Sequence, residues 1–202
     1  SSMFCYQCEQ TVKGSGCTTF GTCGKDPETS ALQDLLVHAI KGISMYAVQA
    51  RKLSIRDDEA NAFAVKALFA TLTNVNFDPE RFVVYLQQAA RIRDKMKCFY
   101  EDACRKTNTE PVMIAGPALW VPADSLDGLI AQGENVGIEQ RLNSLGDDIT
   151  GLQELLTYGL KGLAAYAWHA RILGKEDTTV YDFVHDALAF LGNSDGSLEE
   201  HV

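Results

Sequence analysis

The stretch LQDLLVHAIKGISMYAVQAR, Leu32 to Arg51, returns as LQELLTYGLKGLAAYAWHAR, Leu152 to Arg171, at a constant offset of 120 positions with ten of the twenty residues identical. Phe63 with Phe183 and Leu68 with Leu188 extend the match at the same offset. A segment that recurs in register over this length is one folded unit used twice. In its first copy Leu32, Leu35, Leu36, Ala39, Ile43, Tyr46, Ala47 and Ala50 fall at helical spacing, so the unit is an amphipathic helix. Gly42 and its mate Gly162 sit inside it, where glycine costs about 1 kcal/mol against alanine. Close helix–helix approach is the expected compensation.

Around this unit the boundaries are punctuated. Asp26-Pro27-Glu28 supplies an N-cap and a proline at the first helical position, and predicts a helix to about Leu53. A second helix is expected over residues 57–72, and a third from Pro79 to about Lys106, opened by Asp78. Residues 107–147 read as a connector, helical only in part between Ser125 and Leu145. The predicted fold is all-α: an N-terminal Cys-rich cluster loop (1–25), a three-helix bundle (26–106), the connector (107–147), and a second, truncated helical bundle (148–202). Near the end, SLEE reads as a capping box that starts a new helix, with Ser197 as N-cap and Glu200 as its partner. The second bundle would then lack its third helix and expose an apolar stripe near Leu155, Leu163, Phe183 and Leu188. Self-association through that bundle, as a homo-oligomer, is the expected consequence.

The loop holds the chemistry. Cys5, Cys8, Cys17 and Cys23, four of six cysteines, follow the pattern C-x2-C-x8-C-x5-C on a glycine-rich segment with no sustained period. Ser1 and Ser2 before Met3 read as a tag scar, with Met3 as the native start. No window approaches the roughly 18 apolar residues of a membrane span, and no basic, then apolar leader precedes the loop, so the expected location is cytoplasmic, with no membrane partner. A net charge of -9 without clustered Lys and Arg argues against nucleic acid. In a reducing compartment clustered thiols are metal ligands more often than disulfides. Four thiolates suit zinc or an iron–sulfur cluster. Zinc ribbons have C-x2-C at both knuckles, so the x5 pair leans toward iron–sulfur, and spacing leaves both open.

Together MFCYQCEQT, the cysteine spacing, GTCGKDPET, LQDLL, TLTNVNFD and LTYGLKGLAAYAWHA resemble the N-terminal domain of the hybrid cluster protein family, also called prismane proteins or hydroxylamine reductases. The resemblance runs through nearly the whole chain and implies two three-helix bundles, in agreement with the repeat. It implies that Cys5, Cys8, Cys17 and Cys23 ligate one proximal cluster, and the short spacing resembles the [4Fe-4S] class. An outside electron-donor redox protein would reduce that cluster, which would feed a hybrid iron–sulfur–oxygen cluster where hydroxylamine or nitric oxide is reduced. The hybrid cluster's ligands lie in later domains of the full-length parent. The chain would therefore be an electron-transfer domain, partnered by those downstream domains and inactive alone. The alternative from another class is a zinc-stapled helical interaction module without a redox role.

Other residues carry plainer expectations. The positive end of the helix at Pro27 lies close to Cys23 in sequence and favours negative charge there, whereas a lone lysine beside a loop, Lys25, is ordinarily solvated. Cys98 and Cys104 lie six positions apart on a helix and face different ways. His38, His169, His185 and His201 form no ligand pattern and serve packing or the surface. Tyr46, Tyr166, Trp120 and Trp168 are expected in the core, and RDDE (56–59) as a solvated helix start.

Overall fold

The computed structural model describes residues 3–5, 16–19, 24–72 and 78–199, with side chains to Ser194. Its helices are α1 (Pro27–Lys52), α2 (Asp58–Leu72), α3 (Pro79–Thr107), α4 (Leu126–Asn135), α5 (Ile138–Leu145), α6 (Asp147–Ile172) and α7 (Thr178–Glu199), with a 3-10 turn at Gly116–Leu119. The fold is all-α, and no helix among the described residues is long and apolar enough to cross a membrane.

The predicted starts of α1 and α3 are in place. Asp26 Oδ1 accepts from the Thr29 amide at 2.7 Å with Pro27 in the first turn, and Asp78 Oδ1 accepts from the Glu80 amide at 3.0 Å with Pro79 behind it. These side chains satisfy amides that a helix start leaves without an internal partner. α1 is the central helix. Its buried residues include the apolar stripe and also Gln33, Lys41 and Ser44, because α2, α3, α4, α7 and the 3-10 turn surround it. Burial on nearly every side is the outcome for a helix inside a core rather than on its surface.

The duplication is visible as a swap of neighbours. α1 packs along α7 of the other repeat, and α6 packs along α2. Repeat mates Arg51 and Arg171 fasten these crossings, Arg51 to Asp182 and Asp186 on α7, and Arg171 to Asp58 on α2 at 2.7 Å. The RDDE segment thus starts a helix as expected but is ion-paired, not merely solvated: Asp57 and Glu59 both meet Lys95 of α3, and Arg56 meets Asp182.

Each repeat also turns between its two helices in the same way. Ile55 N donates to Ala50 O at 3.0 Å, and its mate Lys175 N donates to Ala170 O at 2.8 Å. The turn passes through left-handed backbone at mates Ser54 (φ 64°) and Gly174 (φ 69°). A residue with a Cβ pays on the order of 1 kcal/mol there and glycine does not. Ser54→Gly is therefore expected to stabilise the chain by about 1 kcal/mol and Gly174→Ser to destabilise it by a similar amount, read as opposite shifts of the denaturation midpoint.

His185 is buried on α7 and ties three helices together. Asn61 Oδ1 can only accept, so Nε2–H donates to it at 3.0 Å, and Nδ1 lies 2.7 Å from the Ser44 hydroxyl, which donates to it when the ring is neutral. Burial first, and Arg51 second, push its pKa down to about 4, against the pull of Asp182 and Asp186. A base depressed on folding contributes stability that is present above its unfolded pKa near 6.5 and lost as pH falls toward 4. Relative to His185→Gln, the wild-type chain is expected to lose about 3 kcal/mol between pH 7 and pH 4. Other buried groups titrate in both proteins, so parallel pH curves would contradict this account.

The second repeat is less covered than the first. Tyr166 is 81% exposed where its mate Tyr46 is 6% exposed, which corrects the expectation of a core position. Leu155 and Phe183 are exposed and Leu163 is half-buried, but Leu188 is fully buried and belongs to no outer stripe. Nor does a helix begin at Ser197. That residue lies inside α7, which continues unbroken from Thr178, so the capping-box reading fails because the helix is already running; Glu200 lies outside the described residues. Gly42 makes a close approach, though to the backbone of Pro117 in the 3-10 turn rather than to a helix, and a Cβ added at Gly162 would meet nothing within 4 Å among the described residues.

Candidate functional site

Two of the four clustered cysteines fall among the described residues, Cys5 and Cys17; Cys8 and Cys23 lie outside them. Cys5 N donates to Cys17 O at 2.9 Å and Cys17 N donates back to Cys5 O, an isolated antiparallel bridge. Met3 N extends the pairing with a bond to Thr18 O at 2.9 Å. Residues that exchange both bonds stand directly opposite, with side chains on the same face of the ribbon. Residues twelve apart in sequence are thus brought side by side by backbone pairing, a register that spacing alone does not reveal. Gly16, at φ 109°, allows the entry to this bridge, and an added Cβ would press on the Phe4 ring at 3.0 Å.

Lys25 corrects the expectation of a solvated side chain. It is 5% exposed, and its Nζ donates to Cys5 Sγ at 3.7 Å. Burying an ammonium without a partner is strongly unfavourable, and the Cys5 sulfur supplies the acceptor. Beneath it, α1, α5 and α6 enclose a cavity lined by Cys5, Lys25, Asp34, Lys41, Arg141, Glu154 and Lys161. Here the repeat matters again: Asp34 and Glu154 are mates, as are Lys41 and Lys161, so the duplication delivers two acid–lysine sets to one cavity. Arg141 ion-pairs with Glu154 and donates to Gln153 Oε1 at 3.3 Å. Burial raises the Asp34 carboxyl to about 6, opposed mainly by Lys25, and lowers the Lys161 ammonium to about 8, with Lys25 adding repulsion while Asp34, Glu154 and Cys5 oppose the shift.

His38 lines the same cavity as Cys5, whereas Cys98 and Cys104 stay apart, as the sequence predicts. Cys98 is exposed and Cys104 buried, on different faces of α3. Among the described residues no group of three or more His, Cys, Asp or Glu side chains could hold a metal ion. The described donor set is therefore the Cys5–Cys17 pair, two soft thiols on one face beside a buried ammonium. That chemistry fits a thiolate-bound metal group.

The architecture is that of an all-α chain built on a duplicated helical hairpin, with Cys5 beside α1 and α6, one helix from each repeat. A family model described as Prismane/CO dehydrogenase family matches residues 3–202, and the chain belongs to that family. The hydroxylamine reductase of Rhodospirillum rubrum is 52% identical over 189 residues, 94% of this chain and 34% of the relative. That of Burkholderia ambifaria is 48% identical over 201 residues, 98% of this chain and 36% of the relative. That of Methanocella arvoryzae is 46% identical over 200 residues, 99% of this chain and 36% of the relative. The chain spans about a third of the length of the curated relatives it matches. Membership of the family implies iron–sulfur clusters.

Proposed function

We propose that Cys5, Cys8, Cys17 and Cys23 together hold one [4Fe-4S] cluster, and that the chain is the electron-entry part of a hydroxylamine or nitric oxide reductase. When bound, such a group supplies one-electron transfer. The observation that carries this reading is the register of Cys5 opposite Cys17, with the Lys25 ammonium on Cys5 Sγ. The paired backbone fixes two thiols on one face, and Lys25 donates to the sulfur of one of them, Cys5. Family membership supports iron–sulfur over zinc, and the short cysteine spacing supports the four-iron type. An electron-donor redox protein and the parts of the protein that carry the hybrid cluster are the partners this reading implies. Reduction of hydroxylamine would occur in those parts, so the chain alone would show no turnover above a free-iron control.

The test is optical. Chain purified without air is expected to be brown, with broad absorption near about 400 nm that dithionite bleaches. A colourless protein whose spectrum dithionite leaves unchanged would overturn the proposal.

A further inference from the structure

Among the described residues, Lys25, Lys161, Asp34, Glu154 and His38 line the cavity under Cys5. Buried lysines are seldom found, yet Lys25 and Lys161 are only 5% and 4% exposed. Glu154 is engaged by Arg141. A buried ammonium needs an acceptor, and Cys5 Sγ accepts from Lys25 Nζ at 3.7 Å. Thiolate-bound iron–sulfur groups carry net negative charge that grows by one on reduction, and charge and hydrogen bonds at the sulfurs set their potentials.

We propose that Lys25 and Lys161 are potential-setting residues, holding buried positive charge beside Cys5 so that the form carrying one more electron is favoured. This inference rests on the cluster reading given above. Lys25 acts at the sulfur itself, through a charge-assisted hydrogen bond. Lys161 acts across the cavity from α6, at longer range but in surroundings that screen little. The electron balance is simple: an external reductant gives one electron, and no bond in the protein breaks. A purely structural role would have the two ammonium groups holding the N-terminal segment to the helices, and would leave the potential alone.

The experiment is a redox titration of the chain reconstituted with iron and sulfide without air, with dithionite as reductant and iron content measured on each sample. Lys25→Met and Lys161→Met are each expected to keep their iron and to shift the reduction equilibrium about tenfold toward the oxidised form, a fall of about 59 mV for one electron. Lys25→Arg, which keeps the charge and a donor, is expected to restore most of the shift. Iron-loaded variants whose potentials match the wild type would overturn this inference and leave the cluster reading standing. Should Lys25→Met fail to load, Lys161→Met, which lies far from the loop in sequence, decides by the same criterion. A wild-type chain that takes up no iron would overturn both.

Discussion

Replacing Cys17 with serine is expected to empty the chain of iron. The serine hydroxyl is of similar size and can keep the backbone bridge to Cys5, but it is a hard, protonated oxygen at neutral pH and a poor substitute for a thiolate toward iron. Because the Cys17 backbone, not its side chain, pairs with Cys5, the variant loses donor chemistry without losing local geometry. Iron bound per chain should fall roughly tenfold or more, since a missing ligand costs binding free energy. Cys98→Ser and Cys104→Ser are the controls. Cys98 is exposed on one face of α3 and Cys104 is buried on another, so both variants should retain the full iron content. Cys17→Ser protein with undiminished iron would remove that residue from the ligand set.

The second large effect separates two glycines that the sequence treats alike. An alanine Cβ at position 42 would lie 2.9 Å from the Pro117 carbonyl carbon and closer still to its oxygen. That backbone cannot easily move aside. Arg93, buried on α3, donates to the carbonyls of Ala118, at 2.9 Å, and Trp120, and so pins the turn against α1. Overpacking of this kind costs about 3 kcal/mol, and Gly42→Ala should lower the unfolding free energy by that much. At position 162 an added Cβ meets nothing within 4 Å among the described residues, so Gly162→Ala should gain up to about 1 kcal/mol from helix propensity alone. Opposite signs in denaturant titrations of the two variants, matched for iron content, would bear out the asymmetry. Equal losses would show that the α6 face is covered in solution.

Most of the fold was legible because the signals were local or repeated. Asp-Pro-Glu starts fixed α1 and α3 to within a residue, and the duplicated segment announced α6. What the sequence left hidden depends on contacts between distant segments. The periodicity of α1 showed one apolar stripe, whereas four helices and a turn enclose it. The same periodicity made Tyr166 a core residue, since a repeat carries its pattern whether or not the neighbour that buries it is there. For the site, the cysteines were legible as ligand types from spacing, but the pairing of Cys5 with Cys17 is a backbone event that spacing does not encode. Lys25 was misread because a charged residue beside a glycine-rich loop ordinarily faces water. A signal did exist for the cavity: Asp34 with Glu154, and Lys41 with Lys161, recur in register among apolar positions that pack. Polar residues repeated inside a buried helix point to a shared polar interior.

The claim on which the rest depends is that the N-terminal thiols carry an iron–sulfur group. Iron, acid-labile sulfide and zinc, counted per chain on protein made and purified without air, test it most directly. About four irons and about four sulfides per chain, with zinc at trace level, is the predicted result. One zinc per chain, with neither iron nor sulfide, would contradict it.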